Sequence, residues 1–281
     1  MKKFLLLKVF SVLFVLALTC TKSPTGPSGN IAVHTTWPKI PIASATSVTK
    51  RIKVEVLADD SLRTGYNALA VVLRDSLGAQ ILTNAHVMWY PLMNMGMMQH
   101  SSPVDEISDD PGDDSLFRAG ILFIMASMSS IDSGRGGWTL RTIIHDHRTD
   151  TYDSADIPIW VNNATPSRIL TWTGPDSLVR KAALVKPTSP VSDTQTFDLF
   201  VSKEVDLFTW PADTGWQVTF VPTMPSMGHS SPNNVQPVST GNGHYQGKVN
   251  FTMSGDWRLT FTLKPIGDTV TTSQYLDLTV Q

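Results

Sequence analysis

Five short blocks of this chain occur twice in the same order, so it must fold as two like units in series. Pro91-Leu92-Met93 is matched by Pro222-Thr223-Met224, and His100-Ser101-Ser102-Pro103 by His229-Ser230-Ser231-Pro232. Phe117-Arg118-Ala119 falls on Tyr245-Gln246-Gly247, Phe123-Ile124-Met125 on Phe251-Thr252-Met253, and Trp138-Thr139-Leu140 on Trp257-Arg258-Leu259. The spacing between blocks changes only where loops would lie.

The units read as all-β. Arg51 to Leu57 alternates around Ile52, Val54 and Val56, the period of a half-buried strand. Further runs lie at 66–73, 80–89, 117–126, 138–144 and 157–161, and Arg74 to Gly78 reads as a hairpin turn. About six strands per unit, at this spacing, suit a sandwich of immunoglobulin size. The expected architecture is two tandem Ig-like β-sandwich domains, 47–163 and 177–281, joined by a linker at 164–176 that holds Pro166, Gly174 and Pro175. Alternation puts Trp138, Leu140, Thr142 and Ile144 on one inward face and Trp257, Leu259, Phe261 and Leu263 on its counterpart.

The N-terminus has the form of an export signal, residues 1–19: Lys2-Lys3, then an apolar run from Phe4 to Leu18 that is short for a stable membrane span. It ends at Cys20, the single cysteine of the chain, at the position of a lipid-modified residue in a bacterial lipoprotein, although Thr19 is a less usual neighbour. Residues 20–46 then form a tether, polar and rich in Pro, Gly and Ser as far as Asn30. The expectation is an extracytoplasmic protein, lipid-anchored to a bacterial membrane, in periplasm or at the cell surface. With Cys20 lipidated, no disulfide is available. Lys+Arg 22 against Asp+Glu 24, with no basic block, argues against nucleic acid as a partner.

The loop from Pro222 to Pro232 holds Met224, Met227 and His229 in a proline-punctuated stretch without apolar periodicity. Two thioethers and an imidazole suit Cu(I), because soft sulfur selects it over hard ions. The counterpart loop offers Met93, Met95, Met97, Met98 and His100. Methionine also fills core gaps, so packing at the sandwich end is the competing explanation, and core packing is the plainer role for Met125 and Met253. His145 and His147 read as a solvated strand end, and the acidic residues from Asp105 to Asp114 as a solvated loop that does not match an EF-hand. No nucleophile elbow, Cys-x-x-Cys, phosphate loop or His-Glu-x-x-His motif is present, so no enzyme is expected.

Pro222-Thr-Met-Pro-Ser-Met-Gly-His229, then Tyr245-x-Gly247 and Phe251-x-Met253-x-Gly255-x-Trp257-x-Leu259, resembles the YtkA-like/FixH-like domain of bacterial extracytoplasmic proteins. The second half carries it from about Phe197 onward; the first is diverged, with Ala119 for the glycine and an insertion from Met128 to Arg135. The resemblance implies small Ig-like sandwiches, a place in copper handling or oxidase assembly, and no catalysis. The expected function is therefore a non-enzymatic lipoprotein binding Cu(I) through Met224, Met227 and His229, with Met253 from the strand rim. A second site would use Met93, Met95, Met98 and His100. The alternative is a structural module, or one that binds a protein partner, in which the methionines only pack.

Overall fold

The computed structural model describes residues 40–77, 81–108, 115–128 and 137–281. The signal, Cys20, most of the tether, the acidic positions 109–114 and most of the insertion lie outside the described residues. Every regular element among the described residues is a β-strand. The first half contains β1 (Ile40–Thr46), β2 (Ile52–Ala58), β3 (Gly65–Asp75), β4 (Ala85–Asn94), β5 (Gln99–Ser101), β6 (Val104–Ser108), β7 (Phe117–Phe123), β8 (Trp138–Asp146) and β9 (Thr151–Ile159). The second contains β10 (Ile169–Thr173), β11 (Val179–Lys186), β12 (Thr194–Lys203), β13 (Trp216–Met224), β14 (His229–Ser230), β15 (Val235–Gly241), β16 (His244–Asn250), β17 (Gly255–Pro265) and β18 (Thr272–Val280).

The halves repeat strand for strand. One sheet of the first runs β1-β2-β3-β7-β6 and the other β5-β4-β8-β9; the second half has β10-β11-β12-β16-β15 and β14-β13-β17-β18. In the first, β2-β3-β7-β6 hold the A-B-E-D places of an immunoglobulin domain and β4-β8-β9 hold C-F-G; in the second, β11-β12-β16-β15 and β13-β17-β18 do the same. An edge strand and a short strand beside C are additions. The described residues are thus all-β and form two Ig-like sandwiches.

Alternation closes each sandwich. Ala85, Val87, Trp89 and Met93 of β4 and Trp138, Leu140 and Ile144 of β8 turn inward against Val54, Val56, Leu69, Val71, Phe117 and Ile121 of the facing sheet. The second core repeats this with Trp216, Val218, Phe220 and Met224 of β13 and the expected Trp257, Leu259, Phe261 and Leu263 of β17. Each large aromatic removes roughly 150–250 Å² from water, about 4–6 kcal/mol at ~25 cal/mol per Å².

Several expectations are corrected. β1 occupies the end of the expected tether and β10 lies within the expected linker; both are short edge strands, of seven and five residues. The turn after β3 closes only a short antiparallel bridge, Arg74 with Ile81 and the Leu82 amide donating to the Leu73 carbonyl at 2.9 Å, before the chain crosses to β4, which pairs with β5 and β8 in the other sheet. Asp105 is no part of a solvated loop: it lies on β6, buried.

Asp105 belongs to the joint between the sandwiches. Its carboxylate accepts hydrogen bonds from Tyr66 Oη at 2.7 Å and from His244 Nε2 at 3.0 Å. The other ring nitrogen of His244 donates to Asp198 at 3.0 Å, and Gln246 donates to the second oxygen of Asp198 at 3.1 Å. Around this bridge Leu122 packs with Ala183, Val185 and Phe200, flanked by Tyr66, Ile124 and Ile169. Gly120 makes room for the ring, since a Cβ there would meet Tyr66 Oη at 2.0 Å.

Burial pushes the His244 pKa down, but hydrogen bonds to Asp105 and Asp198 and their negative charge outweigh it and raise it to about 10. A group raised above its unfolded value of 6.5 contributes stability that is fully present below pH 6.5 and is lost as pH rises through about 10. Stability of the full chain in urea is therefore expected to fall between pH 6.5 and 9.5. His244→Gln should lose about 3 kcal/mol at pH 6.5, by leaving two buried carboxylates without their cation, and should show a flatter pH profile. An unchanged profile in the variant would remove His244 as the cause.

Candidate metal centre

The Met/His residues sit at the same end of both sandwiches because one hairpin is used twice. In the first, Met93 of β4 is the register partner of His100 of β5; in the second, Met224 of β13 is the partner of His229 of β14. Register partners share a face of the sheet, so thioether and imidazole are side by side on the inward face. The second turn is tight: the amides of Met227 and Gly228 both donate to the Met224 carbonyl, with Gly228 at φ +67°.

A tryptophan backs each hairpin. The His100 ring meets Trp138 edge-on at 5.3 Å, and the His229 ring meets Trp257 at 5.9 Å. Each indole N–H donates at 3.0 Å to the carbonyl of the methionine that follows the E strand: Trp138 to Met125, Trp257 to Met253. Both loops therefore bring one Met from the C strand, one His from the added strand and one Met backbone from the E–F turn around a buried indole. In the first sandwich the convergence is closest, with His100 Nε2 3.0 Å from Met125 Sδ.

The expected ligands divide by burial. Met93 is fully buried at 0% exposure and Met224 at 3%, both within cores, while His100 is 6% exposed. Met253 is 37% exposed at the rim and Met227 is 60% exposed in the turn. His229 is half-buried; Met95 packs against the first core, and Met98 is half-exposed in its turn. Met125 packs against the first core, as its residue type leads one to expect, and its sulfur also faces His100. The signal was available, since the repeat that nominates Met253 places Met125 at the same position. Among the described residues no group of three or more His, Cys, Asp or Glu is placed to hold a metal, so sulfur carries whatever soft-metal capacity this end has. His145 stacks on Tyr152 at 4.2 Å with its Nε2 2.9 Å from Asp150, as a packed surface side chain does.

Gly255 sets the space beneath the second hairpin. It has φ +126°, and a Cβ there would lie 2.9 Å from Met224 Cε. Gly255→Ala is expected to destabilise the chain by about 1–3 kcal/mol through backbone strain and to displace Met224. Thermal unfolding measures the first effect, and methyl chemical shifts of Met224 the second; wild-type values for both would show that the approach is not tight.

No curated protein matches the chain. Among solved structures, the Escherichia coli adhesin FdeC is 16% identical, with 84% of this chain and 66% of that chain covered and a TM-score of 0.25. Domains 5–6 of the S-layer protein SbsC are 13% identical, with 86% and 97% covered and a TM-score of 0.31. An endo-fucoidan hydrolase of glycoside hydrolase family 107 is 11% identical, with 80% and 28% covered and a TM-score of 0.23. Superpositions this loose carry no functional weight. The family match is local and falls on the half that holds Met224, Met227, His229 and Met253: residues 181–262 match the family described as YtkA-like.

Proposed function

We propose that the chain is a non-enzymatic, extracytoplasmic lipoprotein whose second sandwich binds Cu(I) at its Met/His end, for copper handling. The observation that carries this reading is the register pairing of Met224 with His229 on one face, beside Trp257, where the backbone of Met253 is tied to the indole. The donor set fits the ion: two thioethers with one imidazole suit a soft monovalent cation, and thioethers persist outside the cytoplasm where thiolates are oxidised. His229 and Met253 are open to solvent in part, so a metal can reach them without unfolding the core. Met227, on the turn, is a further donor at the rim. Lipid attachment at Cys20 would hold the chain at a membrane surface.

Titrating the purified protein with Cu(I) against a competing chelator tests the reading. A His229→Gln/Met253→Leu variant changes two rim side chains and spares the core, and it should bind on the order of tenfold or more weakly. Absence of chelator-resistant Cu(I) in the wild type would end the copper reading and leave a structural or protein-binding module.

The anchor is tested separately. In a bacterial host, fatty-acid labelling of the wild type is expected and Cys20→Ser should abolish it. A wild-type chain that matures to a residue other than Cys20 would overturn the assignment.

A further inference from the structure

We infer that the first sandwich holds a second soft-metal site, formed by His100, Met125 and Met93 and more enclosed than its counterpart, so that the two halves take up and release Cu(I)-like ions at different rates. This rests on the reading of the Met/His ends as soft-metal sites.

The hydrogen-bonding of His100 carries it. Nδ1 lies 2.9 Å from the carbonyl oxygen of Ser101, which can only accept, so Nδ1 bears the hydrogen. In a neutral imidazole Nε2 then presents a lone pair. That lone pair points at the Met125 sulfur, 3.0 Å away, so two electron-pair donors face each other with no hydrogen between them. A histidine that serves only packing would turn Nε2 to a hydroxyl or an amide. A ligating histidine is instead held through its other ring N–H by a backbone carbonyl, as His100 is.

The neighbours complete the set. Met93 lies opposite His100 in register on the same face. Trp138 positions both remaining donors, with its ring edge-on to the imidazole and its N–H on the Met125 carbonyl. Sulfur, sulfur and imidazole select a soft d10 cation, Cu(I) or Ag(I), over zinc or calcium. Access is what separates this site from its counterpart. Met93 and Met224 are both buried, but His100 is buried where His229 is half-buried, and Met125 is half-buried where Met253 is exposed. The strand that carries His100 is also pinned from outside, its Ser101 amide donating to the Leu207 carbonyl of the second sandwich at 2.7 Å.

Ag(I), which shares the softness of Cu(I) and does not oxidise in air, is the probe. The full chain is loaded, and release to a competing chelator is followed with time. Two equivalents are expected, one released quickly and one at least about tenfold more slowly, because local opening must precede its escape. Met125→Leu keeps volume and apolarity and should lose the slow equivalent while keeping the fast one, whose retention shows that the chain is folded. His229→Gln/Met253→Leu should do the reverse. If Met125→Leu retains both equivalents, or if the wild type binds one equivalent that the His229→Gln/Met253→Leu variant abolishes, the second site is overturned and the reading of the second sandwich stands. Two equivalents released at the same rate would overturn the difference in access. A wild type that binds no Ag(I) removes both readings together.

Discussion

Strand register governs everything else in this molecule. With a side-chain period of two, a slip of one residue in β4 against β8, or in β13 against β17, would send the whole apolar face to solvent. The inward aromatics forbid such a slip: Trp89 and Trp138 in one core, and Trp216, Phe220, Trp257 and Phe261 in the other, have no place outside. The same register carries to the end of each sheet, where the last inward position of the C strand is a methionine and the residue across from it is a histidine. The metal-binding geometry is thus inherited from core packing. It asks for no special backbone beyond a turn that brings the added strand back.

Duplication then separates two copies of one device by their surroundings. The larger sheets of the two sandwiches meet through Leu122, Ala183, Val185 and Phe200, and the Tyr66–Asp105–His244–Asp198 chain crosses that apolar contact. An ion bridge of this kind contributes less to net stability than to orientation, because desolvating the charges offsets much of their attraction. Its effect here is to fix which surfaces of the first sandwich face the second. One of them is the edge of β5, next to His100, while β14 and His229 remain at an open end.

Methionine can fill a core or bind a metal, and the structure uses it for both within one hairpin. Met93 and Met224 are core residues by burial and remain adjacent to an imidazole by register. Thioether sulfur is polarizable and nearly apolar, so a buried methionine can offer a lone pair at no desolvation cost comparable to that of a carboxylate or thiolate. Packing and coordination therefore do not exclude one another at these positions.

The sequence by itself determined the fold class, the duplication and the inward faces, because alternation and repeated blocks are local and the cores simply obey them. Trp138, Leu140, Trp257 and Leu259 point where their spacing says. It also determined which loops bear sulfur and imidazole. Tertiary structure alone decided what each of those side chains faces. Short edge strands such as β5, β6 and β14 have too few residues to show a period, so the Met–His pairing across the hairpin and the burial of Asp105 were not legible. Met125 does pack on the first core, as methionine usually does, and only the closing of the E–F turn onto Trp138 also brings its sulfur to His100. The joint was equally hidden, since Asp105 and His244 are far apart in the chain and nothing local marks either as a partner; a contact between separate folding units is set by the surfaces both present once folded.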